Sequence, residues 1–120
     1  RPGRAFYVEE EGVPAYDELI VVAHADRLGD GKLRRFVGVL ETAAQFLVNH
    51  PKESWKLFIK GRKELNDELN KRAFRDTLPR FALRPAALDH GRYMRMARFL
   101  KDQGLISKVQ SLESYAVELK

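Results

Sequence analysis

Leu19-Ile20-Val21-Val22-Ala23 is the segment that most restricts what this chain can fold into. It is an unbroken apolar run rich in β-branched residues, the pattern of a strand buried on both faces. Almost everything after it reads as helix. A lone strand cannot build a sheet, because its backbone donors and acceptors need a neighbouring strand. The run therefore implies either a sheet contributed by another chain or a larger protein of which this sequence is a part. Ala5-Phe6-Tyr7-Val8 is a second, shorter β-prone segment, closed by the acids Glu9-Glu10-Glu11 and by Gly12. Pro14 favours extended backbone at Val13.

Four helices are expected after the strand. His24 to Gly31 reads as a loop, with Gly29 and Gly31 free to take unusual backbone angles. The first helix spans about Lys32 to Asn49, with Leu33, Phe36, Val37, Leu40, Ala43, Ala44 and Leu47 at helical spacing. His50-Pro51 breaks it and starts the second, because proline is tolerated where the N–H has no helical partner. The second helix carries Trp55, Phe58 and Ile59 on one face, with Trp55 expected in the core and Gly61 as a C-terminal cap. Asn66 is the expected cap of the third helix, with Leu69, Ala73, Phe74, Thr77 and Leu78 facing inward. Pro79 is expected to end it by pushing Leu78 out of the helical region. Phe81-Ala82-Leu83 then forms an extended connector. Asp89 is the expected N-cap of the fourth helix, with Leu88 and Tyr93 at hydrophobic-staple spacing. Gly104 and Leu105 fit a Schellman ending. Leu112 to Lys120 suits either helix or strand, and periodicity leaves both open.

A length of 120 residues suits one domain with its own core. The net charge of +5 comes from basic residues mixed with acids along the helices, as on solvated faces. Nucleic-acid binding is therefore not expected, although a basic face on an independent helical interaction domain is the reading that would produce it. The chain has no cysteine, which removes disulfides and thiolate chemistry from within it. No apolar run is long enough to span a membrane. Arg1-Pro2-Gly3-Arg4 is not followed by the apolar core of a signal peptide, so any such signal is expected upstream.

Catalytic signatures are sparse. His24, His50 and His90 lie far apart and share no metal-ligand spacing, so no metal site or cofactor is expected. The serines sit in no nucleophile elbow. Glu9-Glu10-Glu11 reads as a charged turn more than as paired acid–base carboxylates. Tyr16-Asp17-Glu18 is the candidate ligand-binding segment. It lies on the approach to the strand, where α/β sheets place ligand-facing residues. A tyrosine offers a flat stacking face and a hydroxyl. A carboxylate accepts hydrogen bonds from an exocyclic amine. The same three residues also fit a core tyrosine flanked by two acids.

Tyr7-Val8-Glu9-Glu10, Val13-Pro14-Ala15-Tyr16-Asp17-Glu18-Leu19, Asn49-His50-Pro51, Trp55 and Asp76-Thr77-Leu78-Pro79-Arg80-Phe81-Ala82 together resemble the C-terminal portion of the thiamine-pyrimidine precursor family. Gly91-Arg92-Tyr93, followed by Phe99-Leu100-Lys101-Asp102-Gln103-Gly104-Leu105-Ile106, extends the resemblance over nearly the whole chain. The family comprises bacterial ABC-transporter solute-binding proteins and the related fungal enzymes that make the thiamine pyrimidine. The resemblance implies an α/β parent of type II periplasmic-binding fold. Residues 1–120 would be a mostly helical C-terminal part of two lobes, with one or two strands and about four helices, the 19–23 strand returning to a lobe and helices covering it. It implies a non-enzymatic, periplasmic or extracytoplasmic protein. Such a protein binds a hydroxymethyl- or formylaminomethyl-pyrimidine by lobe closure and delivers it to a membrane permease. A fragment of a pyrimidine-synthase-type enzyme is the alternative. The main ligand-stacking aromatics of the family would lie upstream. An unpaired strand with two apolar faces also implies that the isolated chain self-associates as a homodimer.

Overall fold

Helix capping determines most of the architecture. The computed structural model describes residues 3, 4 and 6–119, which hold four α-helices, and among these residues there is no β-strand. The helices are α1 (Gly31–Asn49), α2 (Pro51–Ile59), α3 (Glu68–Thr77) and α4 (His90–Asp102). Short 3-10 turns at Ala25–Arg27, Lys63–Leu65, Leu78–Arg80 and Leu112–Ser114 punctuate the connections. The described residues up to His24, together with Ala87–Glu118, form one compact unit. Ala25–Ala86 with Leu119 form a second.

The expected strand is not formed. Leu19, Ile20, Val21 and Val22 are 93%, 61%, 51% and 79% exposed, and the backbone bends at Glu18 and Leu19. The cause is the one that made the run anomalous in the sequence: no other segment here supplies a ladder, and isolated strand geometry is unstable in water. The second β-prone segment, whose Ala5 lies outside the described residues, is likewise not a strand. Val8 instead opens a tight turn. Its carbonyl accepts from Val13 N–H at 3.0 Å and the Glu9 carbonyl accepts from Gly12 N–H at 3.3 Å, with Gly12 at φ +89°.

In the second unit, α1 starts on Asp30, whose carboxylate accepts the Lys32 N–H at 2.9 Å. His50 both closes α1, through its N–H to the Phe46 carbonyl at 2.8 Å, and precedes Pro51, the first residue of α2. Its ring stacks on Phe46 at a centroid distance of 4.8 Å. Gly61 takes φ +76° just beyond α2. Gly29 and Gly31 do not adopt left-handed angles, and Gly31 is instead the first residue of α1.

Two details of α3 differ from expectation. Its cap is Asp67 rather than Asn66, with the Asp67 carboxylate accepting from Asn70 N–H at 2.7 Å. An aspartate bonds the third amide of a helix and also favours the positive end of its dipole. Leu78 stays helical at φ −50°, ψ −44°, because Pro79 enters a 3-10 turn whose geometry it tolerates. Leu69 faces solvent, whereas Phe74 packs edge-on to Trp55 at 5.3 Å and beside Phe58 at 5.6 Å. Trp55 is thus half-buried in an aromatic cluster joining α2 and α3.

Full burial is scarce. Among the described residues Val37, Ala44 and Leu112 are the buried apolar side chains, and Phe36, on the expected inner face of α1, is exposed. Beside the aromatic cluster lies an open apolar groove of about 640 Å³ lined by Val39, Phe46, Leu47, Leu57, Phe58 and Phe74. The Ser54 hydroxyl also lines it, buried and without a hydrogen-bond partner. The accessible surface is 10285 Å², whereas two separate folded domains of half this mass would together expose only about 8,000 Å². In the first unit, α4 packs on the turn that carries Leu112, and residues 115–119 take neither helix nor strand.

Two glycines give opposite stability predictions. Gly38 is exposed inside α1 with nothing near the position of an added Cβ, so Gly38→Ala stabilises by about 0.5–1 kcal/mol. Gly104 sits at φ +70°, so Gly104→Ala destabilises by about 1 kcal/mol. Denaturant unfolding followed by circular dichroism reads both, and shifts of the same sign would contradict the helix boundaries described here.

Candidate functional site

The approach segment from Val13 to Glu18 has no helix or strand of its own, so its position depends on what its side chains hold. Tyr16 is 41% exposed and Glu18 is exposed, leaving the aromatic face and one carboxylate open to solvent. Asp17 behaves differently. Its Oδ1 accepts a hydrogen bond from Arg92 Nη1, forming a salt bridge across 75 positions of sequence. The two side chains are about one-third and two-fifths exposed, so the pair is partly shielded from water.

Arg92 reaches Asp17 because α4 starts where it does. Asp89 caps the helix by accepting the Arg92 N–H at 2.9 Å. This fixes Arg92 in the first turn, where its Nε lies 3.8 Å from Asp89 Oδ2. Arg95, one turn on, adds a second guanidinium beside the Asp89 carboxylate, and the Arg95 tip occupies the space that a Cβ on Gly91 would need. Positive and negative groups therefore alternate from Asp17 through Arg92 and Asp89 to Arg95. At its other end α4 closes with both Schellman hydrogen bonds, Leu105 N–H to Leu100 and Gly104 N–H to Lys101, each 2.9 Å. The helix that presents Arg92 is thus tied down at both ends.

Electrostatics follow this geometry. The Asp17 hydrogen bond, then its charge, raises the Arg92 guanidinium above its ordinary pKa. The amide of Arg92, more than any charge, holds the Asp89 carboxyl below its ordinary value. Burial is the main reason that the Tyr93 hydroxyl is pushed up, with the charge and hydrogen bonding of Asp17 next. Asp17 thus faces both Arg92 and Tyr93. Of the three residues proposed from sequence, Tyr16 and Glu18 remain open to solvent and Asp17 is engaged by α4. Sequence reading gave Asp89 as a cap but assigned Arg92 no role beyond the Gly91-Arg92-Tyr93 motif. That motif, directly after a capping aspartate, was the signal available. Among the described residues no cluster of histidines and carboxylates is arranged to hold a metal ion, and no helix is long and apolar enough to cross a membrane.

Comparison with known proteins then locates this segment. The family model described as NMT1/THI5 like matches residues 1–54, which include Tyr16, Asp17, Glu18 and the apolar run after them. Residues 1–54 are NMT1/THI5-like. A Haemophilus influenzae protein named as a candidate thiamine biosynthesis protein is 46% identical over 119 residues, spanning 98% of this chain. The chain covers 38% of the length of that relative. No solved structure matches the chain. The NMT1/THI5-like match bears out the resemblance read from the motifs, and that family implies a periplasmic-binding-type fold. α4, with Arg92, lies outside the matched residues but inside the span shared with the relative.

The capped start of α4 has an acid-sensitive signature. A carboxyl whose folded pKa is lowered contributes stability above its unfolded value and loses that contribution as pH falls through the folded value. For Asp89 the loss begins below about 3.8. Denaturant unfolding from neutral pH downward is expected to show this fall in the unsubstituted protein. In Asp89→Asn, which keeps a capping acceptor without the titration, that part of the fall is absent. Superimposable acid profiles would remove the charge of Asp89 from the cap.

Proposed function

We propose that the protein containing this sequence is the solute-binding component of an ABC importer for a thiamine pyrimidine precursor, a hydroxymethyl- or formylaminomethyl-pyrimidine. The NMT1/THI5-like match over residues 1–54 is the observation that carries this reading, because it covers the segment in which an exposed tyrosine precedes an apolar run without a partner. Tyr16 offers its ring face to a flat heterocycle, and Glu18 accepts a hydrogen bond from an exocyclic amine. Two lobes close on the ligand, and the closed form docks on a permease in the membrane. The protein works outside the cytoplasmic membrane and performs no chemistry of its own.

This chain contributes one wall of that cleft. Residues 19–23 return to one lobe and add a strand to a sheet built by the rest of the protein, and the helices cover that sheet. The exposure of Leu19 to Val22 supports this reading, as it is apolar area that further polypeptide would cover. The relative's name, which refers to biosynthesis rather than transport, favours a second reading as part of a pyrimidine-synthase-type enzyme. The two diverge upstream, where a signal peptide accompanies transport and a cysteine cluster with a reactive histidine accompanies synthesis.

Calorimetry on the full-length protein decides between ligand classes. Saturable binding of an aminopyrimidine is expected, and Tyr16→Ala weakens it about tenfold or more, the size of a lost aromatic stacking contact. A flat titration with every pyrimidine, beside a clear signal for another solute, rejects the transport reading. Wild-type affinity in Tyr16→Ala returns the tyrosine to a packing role.

The isolated 120-residue chain is expected to self-associate, because its uncovered apolar area recruits a second copy when the covering polypeptide is missing. Sedimentation at micromolar concentration tests this. A monomer that unfolds cooperatively would show that these residues close a core unaided.

A further inference from the structure

The geometry points to Arg92 as a positioning residue that holds the Tyr16–Glu18 segment in place through Asp17, rather than leaving Asp17 to contact ligand. Residues 13–18 lack helix or strand, so backbone hydrogen bonding within an element does not fix where Tyr16 and Glu18 point. The Asp17–Arg92 salt bridge supplies a tether from the middle of that segment, and Arg92 is itself fixed by the Asp89 cap and by the closed C-terminal end of α4. A guanidinium suits the task, as its planar fork hydrogen-bonds the Asp17 carboxylate while its Nε lies 3.8 Å from that of Asp89. The groups facing Asp17 from α4 are Arg92 and Tyr93, both donors. With its charge answered within the protein, Asp17 is poorly placed to answer a ligand amine, while its neighbours on either side remain open. The division of labour is thus one residue anchoring and two presenting.

This inference rests on the ligand reading of Tyr16 for its binding consequence but not for its structural one, and two measurements separate them. The first is hydrogen exchange of the amides of residues 15–19 in the full-length protein without ligand. Arg92→Ala and Asp17→Ala are each expected to speed exchange there, the double variant no more than either alone, and Arg92→Lys to recover part of the protection. Unchanged exchange in Arg92→Ala overturns the tether. The second is calorimetry with a hydroxymethyl aminopyrimidine. The two alanine variants are expected to weaken binding by a similar factor of about ten, with the double variant no weaker. If Asp17→Ala weakens binding and Arg92→Ala does not, Asp17 is a direct ligand contact and the positioning role is wrong. If exchange responds as expected but the unsubstituted protein binds no pyrimidine, the tether stands and the transport reading fails.

Discussion

Val37, Ala44 and Leu112 are the buried apolar side chains among the described residues, and a fold with so little burial must take its order from local sources. Helix termini supply it. Asp30, Asp67 and Asp89 each bond an amide of the turn they open, and glycines at positive φ follow α2 and α4. Each cap is worth about 1 kcal/mol. Caps determine where a helix begins and ends but do not bring helices together. That requires apolar area removed from water, at about 25 cal/mol per Å². Here the aromatic contacts among Trp55, Phe58 and Phe74 provide part of it, while much apolar surface stays open.

This explains what could and could not be read from the residues. Signals that act within a few positions were legible. The aspartate before α4, the glycine and leucine after it, and proline at the start of α2 all gave boundaries within a residue or two of those observed. Asn66 and Asp67 are adjacent capping residues, and the choice between them turned on which carboxylate or amide met the Asn70 amide, a matter of one residue of register. Pro79 misled for a related reason. The rule that a residue before proline leaves the helical region is a steric preference, and a 3-10 turn satisfies it well enough for Leu78 to remain helical.

Signals that depend on a distant partner were not legible. A β-branched run specifies a strand only if a second strand is present, and nothing in residues 19–23 reveals whether one is. The run is better understood as information about what surrounds the chain than about the chain itself. The same holds for Phe36 and Leu69, expected on inward faces yet exposed. Periodicity identifies a face that is fit to be covered, and the cover need not belong to the same stretch of sequence.

The Asp17–Arg92 pair lies between these extremes. An isolated exposed ion pair contributes little, because water and side-chain entropy offset the attraction. Several features raise this one above that baseline. It is partly shielded, it is hydrogen-bonded, and its cation stands in the capped first turn of a helix, beside the Asp89 carboxylate. Its consequence is one of direction more than of stability. A segment without regular structure can present an aromatic ring in many orientations, and a tether on the adjacent residue restricts them. Local capping of α4, legible from Asp89 onward, thereby becomes a constraint on Tyr16, which lies far away in sequence. The chain's short-range order and its candidate ligand surface are linked through a single guanidinium.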